Sequence, residues 1–142
     1  MKVLVIHGKG MEMRGKEKID IFGTMTLPEY DEQIRRYAKE LGAAVEIFHS
    51  NIEGEVINKL YESHERDVDG AIINPAGYTT EHPALGGAIA QVRFPTIELH
   101  VSNPARRGAV SDIARVTRGT IAGFSVFDYY MALRGLKDLA SK

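Results

Sequence analysis

Apolar residues in this chain come in short unbroken runs separated by stretches of helical period. Val3-Leu4-Val5-Ile6, Val45-Glu46-Ile47-Phe48, Ala71-Ile72-Ile73, Thr96-Ile97-Glu98-Leu99 and Thr120-Ile121-Ala122-Gly123-Phe124 read as five short strands. Runs with almost no polar alternation are those of strands covered on both faces, as in a parallel sheet. Between them, Leu27, Tyr30, Ile34, Tyr37, Ala38 and Leu41 form one helical stripe ended by Gly42. Thr26-Leu27-Pro28-Glu29 supplies its start, with a hydroxyl cap, an early proline and a glutamate three residues on. Ser50 and Glu53 predict a similar box before Ile52, Val56, Ile57, Leu60 and Tyr61, and Ser125 and Asp128 are expected to open a last helix that buries Val126, Tyr129, Tyr130, Leu133 and Leu136. A weaker helix spans about His82 to Gln91, where Gly86 and Gly87 each cost roughly 1 kcal/mol relative to alanine.

Strands alternating with helices predict an α/β, three-layer, flavodoxin-like fold with a five-stranded parallel sheet, in one domain over residues 1–142. Ligands of such sheets bind beyond the carboxyl ends of the strands, at the switch between the first and third. Two connections there exceed simple links, His7 to about Met25 and Val101 to about Gly119. Loops of that length are functional or disordered more often than not. The first is rich in glycine and charge, as a lid is; a solvated surface loop is the alternative.

Composition narrows the chemistry. With 44% apolar and 26% charged residues and a net charge of −1, nothing draws the chain to nucleic acid or an anionic membrane. No apolar run is long enough for a bilayer span, and no secretory pattern opens the sequence. Cysteine is absent, so thiolate chemistry is excluded and a cytoplasmic protein is expected. No phosphate-loop or dinucleotide glycine spacing occurs, and His7, His82, His100 and Glu98 lack the tight spacing of a metal site. No metal or cofactor is expected.

Glu98 and His100 lie two apart on a strand, hence on one face, so the carboxylate can orient the imidazole as a general acid. Val101, Ser102 and Asn103 form a turn whose amides suit a carboxylate; Ser-Asn-Pro is also ordinary turn chemistry. Asn74, held extended by Pro75, suits a substrate hydroxyl, or simply a turn. Arg106 and Arg107 are expected to put positive charge over the crevice, or to be ordinary exposed arginines. His7 ends the first strand facing the crevice.

Together, Ser50-Asn51-Ile52-Glu53-Gly54-Glu55, Ile73-Asn74-Pro75, Tyr78-Thr79 and Glu98-Leu99-His100-Val101-Ser102-Asn103 resemble the signature segments of the type II 3-dehydroquinate dehydratases. The resemblance implies a flavodoxin-like fold, a trimer-based homo-oligomer (a dodecamer), no cofactor, and anti elimination of water from 3-dehydroquinate through an enolate. It implies that His100 is the general acid with Glu98 as partner, that Asn74 binds a substrate hydroxyl, that the Val101–Ser102 turn binds the carboxylate through its amides, and that Arg107 stands at the edge of the site. The departures are equally specific. Phe22 stands where the family has its tyrosine base, Glu17 where it has a lid arginine, and Gly10 and His7 where it has asparagines; Thr80, Gly87 and Ser111 replace a histidine, an aspartate and an arginine.

A phenyl ring cannot accept a proton. His7 is therefore expected as the replacement base, with the lid carboxylates Glu12 and Glu17 as second choices. Trading an arginine for a glutamate is also expected to leave the crevice less tolerant of negative charge. Two functions follow: a hydro-lyase or enolising enzyme acting on 3-dehydroquinate or a similar small cyclic keto acid, or an inactive homologue that binds a small carboxylate or serves an assembly.

Overall fold

The structure, a computed structural model, describes residues 1–142. Five strands, β1 (Lys2–Lys9), β2 (Ala44–His49), β3 (Gly70–Ala76), β4 (Thr96–His100) and β5 (Gly119–Ala122), form one parallel sheet in the order β2-β1-β3-β4-β5. A short helix α1 (Ile19–Phe22) lies in the first long connection. The longer helices are α2 (Leu27–Glu40), α3 (Glu53–His64), α4 (Pro83–Gln91) and α5 (Phe127–Ala140).

The sheet divides the core by the two-residue period of its strands. Val3, Val5, Ile72, Ile97, Leu99 and Val101 pack with Tyr30, Ile34, Tyr129 and Leu133, the α2 and α5 layer. Leu4, Ile6, Ala71 and Ile73 pack on the opposite face with Val56, Leu60, Leu85 and Ile89, the α3 and α4 layer. Both faces are covered, which is why the strands carry almost no polar alternation.

Helix α2 begins as its sequence demands: Thr26 N–H and Oγ1 both donate to the Glu29 carboxylate, at 3.0 and 2.8 Å. The other two expected starts differ. Glu53 does not close a box with Ser50; its carboxylate accepts from the Leu85 amide of α4 at 3.1 Å, while the Ser50 hydroxyl donates to Glu55. Helix α5 starts at Phe127, and the Asp128 carboxylate accepts from the Phe124 amide at 3.2 Å, with Ser125 at φ 59° outside the helix. In both places a tertiary partner or a tight turn outcompeted the local cap.

The carboxyl ends of β1, β3 and β4 meet beneath two ordered connections. The first leaves β1 at Gly10, makes a 3₁₀ turn over Met11–Met13, passes Gly15 and α1, and returns at Thr26. Met11 is fully buried, and the Asn51 side chain ties this lid to the β2–α3 loop, accepting from the Gly10 amide at 2.8 Å and donating to Glu12. The second connection carries 3₁₀ turns at Pro104–Arg107 and Ala114–Val116.

Candidate active site

A cavity of about 360 Å³ opens where those ends converge, within the range of small-molecule sites. Its floor is Asn74 and Ala76 from β3 and His100 from β4. One wall is Val101, Ser102 and Arg107; the lid contributes Gly10, Arg14, Glu17, Lys18 and Phe22.

Glu98 and His100 meet on one face of β4, as their two-residue spacing predicts. His100 Nε2 lies 2.8 Å from Glu98, with Glu98 fully buried and His100 8% exposed at the cavity floor. Burial pushes the Glu98 carboxyl up, but hydrogen bonds from His100, Ser111 and Thr120 outweigh it and hold the group below the usual carboxylate range. Ser111 thus has a definite task, donating to Glu98 at 2.5 Å. Arg107 donates to the Ser102 hydroxyl at 3.2 Å, which fixes the wall beside the Val101–Ser102 turn. Asn103 turns away from the cavity; its side chain accepts from the Ala105 amide and caps the 3₁₀ turn.

The expectation for His7 fails. His7 continues the series Val3, Val5 and so projects into the α2 and α5 layer. His100 continues Thr96 and Glu98, which alternate with the inward series Ile97, Leu99 and Val101, and so points to the opposite face. The two imidazoles stand on opposite sides of the sheet. His7 is fully buried, with Nε2 2.6 Å from Asp31 of α2 and its ring edge-on to Tyr129 of α5, 6.2 Å between centres. It does not line the cavity. Glu12 does not either, being held by Asn51 with His49 3.8 Å away. Of the proposed bases, only Glu17 faces the same space as His100.

The lid exchange leaves the cavity rich in cations. Lys9, Arg14, Lys18 and Arg107 all line the cavity against the single carboxylate of Glu17, so its lining is predominantly cationic. Arg14 was not singled out by motif, because it sits in an irregular lid where neither helical nor strand period reports direction. Its guanidinium lies over the Phe22 ring, Cζ 3.8 Å from the centre, with Arg107 at 5.6 Å from the same ring.

An imidazole–carboxylate pair at the strand ends, beside the Val101–Ser102 turn and under a charged lid, defines a small-molecule site on a flavodoxin-like α/β protein. The sequence matches the family described as Dehydroquinase class II over residues 1–137, and the chain belongs to that family. It is 42% identical to the 3-dehydroquinate dehydratase of Campylobacter hominis over 142 residues, covering 98% of this chain and 91% of that protein. The type II dehydroquinase from Butyrivibrio crossotus superposes with a TM-score of 0.92 at 33% identity, covering 96% and 97% of the two chains. A 3-dehydroquinate dehydratase-like protein from Bifidobacterium longum gives 0.77 at 26% identity, covering 100% and 99%.

Proposed function

We propose that this protein is a hydro-lyase that removes water from 3-dehydroquinate or a close cyclic keto acid, with His100 as general acid and Glu17 as base. The observation that carries this reading is that His100 and Glu17 open onto one cavity whose wall is the Val101–Ser102 turn with Arg107. The ring carboxylate lies against that wall. Glu17 takes the proton from the carbon next to the ketone, and the bonding pair becomes an enolate. The enolate collapses into a conjugated enone as the carbon–oxygen bond to the departing hydroxyl breaks. His100, aligned by Glu98, gives a ring N–H proton to that hydroxyl, which leaves as water. Glu17 then loses its proton to solvent and His100 regains one.

The test is ultraviolet absorbance of the enone after mixing protein with 3-dehydroquinate. Turnover should appear in the parent protein, fall roughly 10²–10⁴-fold in Glu17→Gln and in His100→Ala, and persist in a folded His7→Ala variant. Unchanged turnover in Glu17→Gln removes that base from the mechanism. A second reading, a protein that binds a small carboxylate without converting it, draws on Phe22, whose ring faces the cavity where a phenol would act. Calorimetric binding of the substrate with no absorbance change would establish it.

The working form is a homo-oligomer in the cytoplasm. Support for self-association comes from Ile19, Ile21 and Phe124, exposed side chains that share one hollow beside the lid.

A further inference from the structure

Arg14 has no part in the chemistry above, yet its side chain is set up unusually. It is half-buried on the cavity wall, three residues ahead of Glu17 on the lid. Its Nε is out of solvent with no hydrogen-bond partner, and no carboxylate lies within ion-pairing distance of the guanidinium. Burial lowers its pKa, and nearby Tyr30, Tyr129 and Glu17 pull the other way, although Glu17 is too far for an ion pair.

A charge removed from water without a partner is costly, and proteins usually pair or expose it. Here it is held instead by an aromatic face. Phe22 attracts the cation through its ring quadrupole without neutralising it, leaving the N–H groups free for something in the cavity. The backbone enforces the position. Gly15 follows at φ 79°, and a Cβ there would lie 2.7 Å from the Thr24 carbonyl oxygen, so the turn that aims Arg14 is closed against the far end of the lid. Arg107, tied to Ser102, already serves the carboxylate wall. Arg14 is the remaining guanidinium, available to a second negative oxygen.

The elimination produces one. As the proton leaves carbon, the carbonyl electron pair moves onto oxygen. Resting on the hydro-lyase reading, we propose that Arg14 donates N–H groups to this enolate oxygen, with Phe22 as the mount that keeps the guanidinium unpaired and aimed. No bond to Arg14 forms or breaks; the proton passes to Glu17, and Arg14 stays charged throughout. Phe22 is then a support for a cation rather than only a vacancy left by a base.

The test compares Arg14→Ala, Arg14→Lys and Phe22→Leu with the parent protein, each checked for an unaltered circular dichroism spectrum. Because the enolate charge exists only along the reaction path, Arg14→Ala should lower kcat about 10²–10³-fold with KM changed less than about threefold. Arg14→Lys should fall between, and Phe22→Leu should lose about tenfold in kcat. Added guanidinium ion should restore part of the turnover of Arg14→Ala and none of His100→Ala. A rise in KM at constant kcat, or no rescue by guanidinium, overturns the proposal and makes Arg14 a binding or packing residue. If the parent protein does not turn over 3-dehydroquinate, the hydro-lyase reading fails separately. Calorimetry then decides: a ring carboxylate bearing an enolate-like oxyanion should bind at least about tenfold more tightly than the saturated alcohol, a preference that Arg14→Ala removes. Equal affinities in the parent protein overturn the proposal on that arm too.

Discussion

Glu98 has no solvent exposure, and three side chains donate to it: Ser111 at 2.5 Å, His100 at 2.8 Å and Thr120 at 3.2 Å. Its folded pKa lies below the ordinary value, so the network's contribution to stability is complete above the unfolded value near about pH 4.3 and drains away as pH falls through the folded one. Glu98→Gln should therefore be less stable than the parent at pH 7, with the gap narrowing between about pH 5 and pH 3. Urea denaturation of both proteins at several pH values checks this; a constant gap would mean that the carboxylate charge contributes nothing. Asp128 has the opposite sign. Burial raises its pKa against the hydrogen bonds it accepts from the Phe124 amide, so ionisation at neutral pH works against the fold. Asn keeps an acceptor for the Phe124 amide and removes the charge, so Asp128→Asn should be at least as stable as the parent at pH 7. A clear drop in thermal midpoint would contradict that sign. Much of this scale was legible in advance: the Glu98–His100 pair needs only the two-residue period of a strand. The roles of Ser111 and Arg14 were not, since both lie in irregular connections, where no period reports which way a side chain turns.

Among the elements, the β1–β3 pairing places the tightest demand on the chain. A Cβ at Gly8 would fall 2.0 Å from the Pro75 carbonyl oxygen, which is backbone and cannot swing aside. That contact lies between the His7–Asn74 and Lys9–Ala76 pairs, at the point where the strands open onto the cavity. Gly8→Ala should cost about 2–4 kcal/mol, measured by denaturant unfolding; a loss below about 0.5 kcal/mol would show that the strand ends can part. The start of α2 was readable because its cap is local to four residues. Those of α3 and α5 were not. Glu53 found the Leu85 amide of α4, 32 positions away, and Asp128 turned back to Phe124 across a residue in the left-handed region. His7 illustrates the same boundary. That it ends near the carboxyl edge of β1 follows from the sequence order, whereas which helical layer it enters depends on how the sheet is covered.

For the whole molecule, the lid and the β5–α5 turn together present Ile19 (53% exposed), Ile21 and Phe124 (66% exposed) to solvent. If this apolar face is covered by another copy, light scattering should return a mass several times that of one chain, and Phe124→Glu should shift it towards the monomer. An unaltered oligomer in that variant would move the interface elsewhere. The sequence by itself determined the three-layer architecture, the parallel sheet, the α2 cap and the Glu98–His100 pair, because each depends on spacings of a few residues and on the burial of both sheet faces. The tertiary structure decided that His7 and His100 lie on opposite sides of that sheet, that Glu17 rather than Glu12 meets the cavity, and that Arg14 rests on Phe22. Those outcomes depend on how segments distant in sequence close over one another, and the two-residue and 3.6-residue periods carry no information about that closure.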